Sequence, residues 1–456
     1  MKTFDAIIIG FGKGGKTLAA YLAGRGEQVA LIEQSSDMYG GTCINIGCIP
    51  TKTLVHQASI ARHREMTSFD EQSLFYRRAM AEKERVTALL RNKNYHNLAD
   101  NPHVTLYTGT GSFLAHDRVK VEMAHETVEL QSSRIFIDTG AQTVIPAIPG
   151  VEGNPRVYTS TSMLRLTELP RQLVIIGGGY IGLEFASMYA SFGSQVTVLE
   201  SYPRLIGRED ADIAQAVQAA LEKRGVTFRL NARVTSVTHT HDSATVSWSD
   251  AATGSSHTLE AQAVLLATGR IPRTGELNLE AAGVEVDERG AIRVNDRLVT
   301  TNPRIRALGD VKGGLQFTYI SLDDFRIVRE DLYGEGSRTT ADRTPVSYSV
   351  FIEPPLARIG LNEEEALARG LDVTVKRLPV AAIPRAKTLG ENDGLLKAVV
   401  DNHSQQILGC TLFAPQAGEV INLVAAVIKM GLPYTFLRDF VFTHPSMSEA
   451  LNDLFA

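Results

Sequence analysis

Short apolar runs closed by glycine punctuate the first two thirds of the chain. Ala6–Ile9 reads AIII and enters Gly10, VALIE ends at Glu33, LVIIG starts at Leu173, QVTVLE ends at Glu200, and RIFIDTG and AVLLATG span 134–140 and 263–269. Runs this short and rich in β-branched residues predict buried strands. Helix-like KTLAAYLAGRG and IGLEFASMYASFG follow the first and third runs, so strand, helix, strand is predicted twice. The charged span from Met66 to Asp100, with AEKERVTALLRNKN, predicts a solvated helix. From Pro345 the texture changes to segments such as VSYSVFIEPP and LKAVVD with helical stretches between them, which predicts an antiparallel α+β domain. Pro146, Pro149 and Pro272 mark crossings between domains.

Each strand-to-helix joint carries GxGxxG. Gly10, Gly12 and Gly15 follow the first strand, and Gly177, Gly179 and Gly182 follow the third. Glycines there let the backbone approach a pyrophosphate at the helix N-terminus, and an acidic residue about twenty positions on, here Glu33 and Glu200, accepts from a ribose hydroxyl. The pattern alone is weak, but a strand before it and a helix and second strand after it make it specific. Two such units imply two dinucleotides, and a flavin with a nicotinamide is the economical pair. Glu200 favours NADH because it repels a 2′-phosphate; Arg204 and Arg208 keep NADPH open.

Composition narrows the class. The chain has 456 residues, 44% hydrophobic and 21% charged, enough for two to four globular domains. No run approaches a membrane span, and MKTFDAIIIG is too short an apolar run for a secretory signal, so a cytoplasmic protein without a membrane partner is expected. A formal charge of −5 without long basic runs argues against nucleic acid. Three cysteines in a reducing compartment do not make a disulfide framework, so any disulfide is catalytic or sensory.

Cys43 and Cys48 lie in GGTCINIGCIPTK. Five positions apart in one regular helix, their Cα atoms would be about 8.7 Å apart, beyond the reach of a disulfide. The workable arrangement has Cys43 in an irregular entry and Cys48 in the first helical turn, with Pro50 where its missing amide hydrogen is not needed. The positive end of the helix dipole then favours a thiolate. Cys410, within QQILGCTLF, reads as a small buried residue.

The order GxGxxG, GGTCINIGCIPTK, GGGYIGLE, ATGRIPRT, ALGDV and HPSMSE resembles the flavin-dependent pyridine nucleotide-disulfide oxidoreductases over essentially the whole chain. The resemblance implies an α/β fold with two Rossmann-like domains, for FAD and NAD(P), plus a C-terminal α+β dimerisation domain. The implied spans are 1–145 for FAD, 146–271 for NAD(P), 272–340 for a central return to the FAD domain, and 341–456 for dimerisation. It implies FAD contacts at Gly10, Gly12, Gly15, Glu33, Gly41, Thr42, Lys52, Thr139, Gly140, Gly309 and Asp310. Nicotinamide contacts are implied at Gly177, Gly179, Tyr180, Gly182, Glu200 and Gly269, with Tyr180 the ring that moves when the nicotinamide enters.

By the same resemblance Cys48 faces the flavin and Cys43 meets the substrate as a redox disulfide. Lys52 lies near the flavin and pairs with Glu184, and His444, oriented by Glu449, acts as acid/base in the other subunit of a homodimer. The resemblance is strongest to cupric-reductase members, which implies Cu(II) as acceptor, transiently held by Cys43 and Cys48, and protection against reactive chlorine. Gln316–Tyr319, QFTY, resembles the metal reductases, whereas His444 and Glu449 are the disulfide-reductase feature. No vicinal cysteine pair lies near Ala456, which weakens a mercuric reductase. A lipoamide- or thiol-disulfide reductase is the alternative enzyme, and a redox sensor the alternative of another class.

Overall fold

A computed structural model of the chain describes residues 1–343 and 345–456. The chain divides into two compact units built from separated stretches. Met1–Leu54, Arg78–Val144 and Gly269–Arg343 form the first; Val55–Arg77, Ile145–Thr268 and the chain from residue 345 on form the second.

In the first unit a parallel sheet runs in the order Ile305–Ala307, Ile135–Ile137, Ala6–Ile9, Val29–Glu33, Val104–Thr108. Ala6 and Ile8 join the core formed with Leu18 and Leu22 of the helix Lys13–Ala23 and Phe325 and Val328 of the helix Thr318–Tyr333. Ile7 and Ile9 face the other way, against Phe113, Val119 and Leu130 of a four-stranded sheet. Both faces of AIII are therefore buried, which is why it has no polar alternation; each fully buried isoleucine contributes about 1.5–3 kcal/mol.

In the second unit a parallel sheet runs in the order Val157–Thr159, Ala263–Leu266, Gln172–Ile176, Gln195–Leu199, Thr227–Arg229. The C-terminal sheet is antiparallel, in the order Tyr348–Val350, Leu356–Gly360, Ile407–Phe413, Leu395–Asp401, Val373–Pro379, and packs with the helix Ala417–Lys429. Cys410 is buried in this core, and burial pushes its thiol up to about 12. Among the described residues no helix is long and apolar enough to cross a membrane.

The span expected as a solvated helix is the helix Phe69–Ala99, but one side of it is packed. Tyr76, Ala79, Met80 and Leu98 are buried, and the Tyr76 hydroxyl donates to the carbonyl of Leu166 at 2.7 Å. The abundance of charge concealed this stripe.

Candidate active site

The two glycine joints are built alike. In the first, the amide of Gly10 donates to Ile32 O at 2.8 Å and that of Asp138 to Ile9 O at 2.8 Å; in the second, Gly177 donates to Leu199 O at 2.9 Å and Ala267 to Ile176 O at 2.8 Å. Gly10 and Gly177 have φ of 107° and 110°, and a Cβ on either would collide with the carbonyl of Asp138 or of Ala267. Gly12 and Gly179 then open helices of 11 and 13 residues with no side-chain cap, and the space beside Gly179 is open. Gly10→Ala is expected to cost at least about 1–3 kcal/mol, read as a lower thermal midpoint with loss of bound flavin.

The acidic strand ends also match. Glu33 accepts from the amides of Phe11 at 3.1 Å and Ser35 at 3.2 Å, and burial pushes its carboxyl up. Glu200 accepts from the amides of Gly178 at 2.6 Å and Tyr202 at 2.9 Å. Each carboxylate is thus pinned to the residue between the first two glycines, where a ribose beside the turn can reach it. A dinucleotide fits both joints.

Other predicted FAD contacts converge on the first joint. A Cβ on Gly41, at φ 79°, would lie 2.7 Å from the Cα of Gly12; one on Gly140 would face Thr42 at 3.8 Å; one on Gly309 would lie 2.6 Å from Asp138 Oδ1. Asp310 is partly buried; burial raises its carboxyl, while Arg270 and Lys312 oppose the rise. Thr139 uses its hydroxyl on the carbonyl of Arg273 at 2.8 Å. Gly269, expected beside the nicotinamide, begins the last stretch of the first unit, where its carbonyl accepts from Val144 at 3.0 Å.

Cys48 is the first residue of the helix Cys48–Arg62, as the spacing predicts. Cys43 differs from the expectation: instead of an irregular entry it occupies a one-turn helix, Thr42–Asn45, and the break falls at Ile46 and Gly47. Two short helices satisfy the distance argument as well as an irregular entry would. The side chains of Cys43 and Cys48 hydrogen-bond to each other, and both meet Thr318, whose Oγ1 lies 3.4 Å from Cys48 Sγ. Cys48 is exposed and Cys43 half-buried.

Their acidities are split. The hydrogen bond from Cys43, then the Thr318 hydroxyl and the Lys52 ammonium, pull the Cys48 thiol down to about 6 against the opposing effect of burial; the same Cys43–Cys48 bond and burial push Cys43 up. The surroundings thus favour a thiolate on Cys48 over one on Cys43.

In the second unit, the hydroxyl of Tyr180 donates to Glu209 Oε1 at 2.6 Å, and Glu184 Oε1 accepts from the amide of Phe351 at 2.8 Å. His444 Nδ1 and Glu449 Oε2 are 2.8 Å apart, and the amide of Ser446 holds the other carboxylate oxygen at 3.2 Å. A carboxylate only accepts, so this contact puts the proton on Nδ1 and leaves Nε2 free. The bond from His444 lowers the Glu449 carboxyl. Among the described residues no group of three or more His, Cys, Asp or Glu side chains could hold a metal ion.

Three residues in the first unit were missed. Asp138 is buried, accepts from the amide of Gly15 at 2.7 Å, and is pushed well up by burial, with added repulsion from Asp310 and Asp324. Burial thus works against a negative charge beside the turn where a diphosphate would lie. An acid inside the apolar run RIFIDTG was the available signal. Lys16 donates to Asn94 Oδ1 at 2.7 Å and to Gly40 O at 3.0 Å, and burial and Lys13 lower it to about 8 while Cys43 opposes the fall. Thr318 lay in QFTY without an assigned role.

The family described as pyridine nucleotide-disulphide oxidoreductase matches residues 4–324, and its dimerisation domain matches residues 346–455, which supports a homodimer. The chain is 52% identical over 456 residues, covering 100% of it and 99% of the relative, to the probable pyridine nucleotide-disulfide oxidoreductase RclA of Escherichia coli strain K12. It is 33% identical to the mitochondrial dihydrolipoyl dehydrogenase of Pisum sativum, covering 98% of this chain and 90% of the relative. A solved Cu(II) complex of the HOCl-induced flavoprotein disulfide reductase RclA from Escherichia coli superposes with a TM-score of 0.93 at 52% identity, covering 100% of this chain and 99% of that one.

Proposed function

Because this chain belongs to the pyridine nucleotide-disulphide oxidoreductases, flavoprotein oxidoreductases that use FAD and a pyridine nucleotide, we propose that it passes electrons from NADH through Cys43 and Cys48 to Cu(II). The observation that carries the reading is the pair of free thiols at the entry of the helix Cys48–Arg62, with Thr318 Oγ1 3.4 Å from Cys48 Sγ. In one cycle NADH and a proton supply two electrons that break the S–S bond, giving two thiols and NAD⁺. The thiols re-form the bond as two Cu(II) become two Cu(I) and two protons leave. Soft sulfur suits the Cu(I) product. Bound FAD supplies the two-electron relay between nicotinamide and sulfur.

Gly10, Gly12, Gly15, Gly41, Thr42, Gly140, Gly309 and Asp310 would hold FAD, with Lys52 tuning Cys48. Gly177, Gly179, Gly182 and Glu200 would hold NADH, and Tyr180 would be the ring that yields to the nicotinamide. The relative's Cu(II) complex and its induction by HOCl support copper as acceptor and a protective role in the cytoplasm.

NADH is favoured over NADPH on two grounds. Glu200 stands at the ribose position, and Arg204 is drawn away into a two-pronged pair with Glu364, at 2.7 and 3.1 Å. Glu364→Ala is expected to free Arg204 and raise kcat/KM for NADPH about threefold, with NADH unchanged within about twofold. Equal gains for both cofactors would remove this account.

Anaerobic titration tests the whole reading. One equivalent of NADH followed by excess Cu(II) is expected to yield two equivalents of Cu(I), read with a Cu(I)-specific chelator. Fast turnover of lipoamide with no Cu(II) reduction would replace it by the second reading, a disulfide reductase. That reading is favoured by the His444–Glu449 pair, which would serve the partner subunit's cysteines in a homodimer and protonate a leaving thiolate.

A further inference from the structure

We propose that Tyr348 and Glu209 are positioning residues for Tyr180: Glu209 holds the ring in place, and Tyr348 keeps Glu209 satisfied when the ring swings away. The proposal rests on Tyr180 being the ring that yields to the nicotinamide. Tyr180 is the first residue of the helix Tyr180–Phe192, directly after Gly177–Gly179. Its hydroxyl and that of Tyr348 both donate to one oxygen, Oε1 of Glu209; the hydroxyls are 3.0 Å apart, and the rings lie 5.6 Å apart at 41°. Glu209 is fully buried.

The other carboxylate oxygen, Oε2, makes no hydrogen bond among the described residues, and the guanidinium of Arg358 stays 3.8 Å from it. That guanidinium is committed to the carbonyl of Arg208 at 2.6 Å and to Glu365. The two tyrosines therefore hydrogen-bond a buried carboxylate whose cation stands off. Burial and the Glu209 charge push both hydroxyls up, which keeps them protonated donors.

Tyr348 begins the strand Tyr348–Val350, and the next residue, Phe351, donates its amide to Glu184. Tyr180 and Glu184 are four apart on one helix face, so one edge strand grips both.

The energetic logic follows from the shared oxygen. A buried carboxylate that loses one of two donors keeps a partner; one that loses its last donor pays the full cost of an unsatisfied charge. With Tyr348 present, Tyr180 can leave Glu209 cheaply. Without the Tyr348 hydroxyl, movement of Tyr180 strands the carboxylate.

Three variants of the flavin-loaded dimer test this. Tyr348→Phe is expected to weaken NADH binding about tenfold, measured as the dissociation constant from anaerobic rates of flavin reduction. Glu209→Gln, with a neutral and weaker acceptor, is expected to act in the opposite direction and tighten it about threefold. In a Tyr180→Phe background both effects are expected to vanish, while Tyr348→Phe and Glu209→Gln leave the rate of electron delivery from reduced enzyme to Cu(II) the same.

Effects of Tyr348→Phe and Glu209→Gln in the same direction, no effect beyond twofold in Tyr348→Phe, or effects that persist without the Tyr180 hydroxyl would each overturn the proposal. Failure of the underlying functional reading is separate, since it would show as unmodified enzyme whose flavin is not reduced by NADH. FAD content and thermal midpoint of Tyr348→Phe, which keeps the ring, separate a local effect from misfolding.

Discussion

Replacing Cys48 by serine is expected to lower NADH-driven Cu(II) reduction at least about a hundredfold while FAD remains bound. Cys48 is the acidic member of the pair, pulled down to about 6, and the Thr318 hydroxyl at 3.4 Å and the Lys52 ammonium both favour its anion. A serine hydroxyl at the same place stays protonated and can neither form nor break an S–S bond. The FAD contacts proposed in Gly10–Gly15 and at Asp310 are not altered by the change. The same acidity sets a pH profile. A lowered thiol is deprotonated above its pKa, so the thiolate-dependent rate should be flat above about 7 and fall as pH drops through about 6. Wild-type-like copper reduction by Cys48→Ser, with full flavin content, would mean that electrons leave by a route other than the cysteines.

His444→Gln is expected to separate the two acceptor readings. Reduction of an organic disulfide releases a thiolate that needs a proton, and removing a positioned acid typically costs about 10²–10⁴ in rate. Cu(II) takes an electron without a proton, so its reduction should change less than about threefold. Nδ1 is turned toward Glu449 at 2.8 Å, so Nε2 is the atom that takes up a proton and passes it on. Steady-state rates with lipoamide and with Cu(II), measured on the same preparation, check both halves. A hundredfold loss with Cu(II) would put the histidine into the copper route and sink the distinction.

Much of the frame was legible because it is local. Gly10, Gly12 and Gly15 sit in one turn, and the strand before them and helix after them are contiguous, so the joint could be read from about thirty residues. The Cys48 helix start was legible because chain geometry forbids a single helix through both cysteines. Where Cys43 would sit was not, since a one-turn helix and an irregular entry meet the same distance condition. The packed side of Phe69–Ala99 was hidden because charge dominates its composition, and Tyr76 reveals itself only through Leu166 and Tyr189.

Side-chain partners followed another rule. Thr318 reaches Cys48 across 270 positions, Asp138 reaches Gly15 across 123, and Tyr348 reaches Glu209 across 139. No periodicity links such pairs, because only the packing of sheets and helices brings them together.

The sequence alone determined where the chain turns and which short apolar runs are buried strands. These follow from backbone hydrogen bonding and hydrophobic burial among neighbours in the chain. The tertiary structure alone decided which hydroxyl stands beside Cys48, which carboxyl burial pushes up and which carboxylate holds Tyr180. Those properties depend on desolvation and on charges a few ångströms away, and the groups that supply them are distant in the chain.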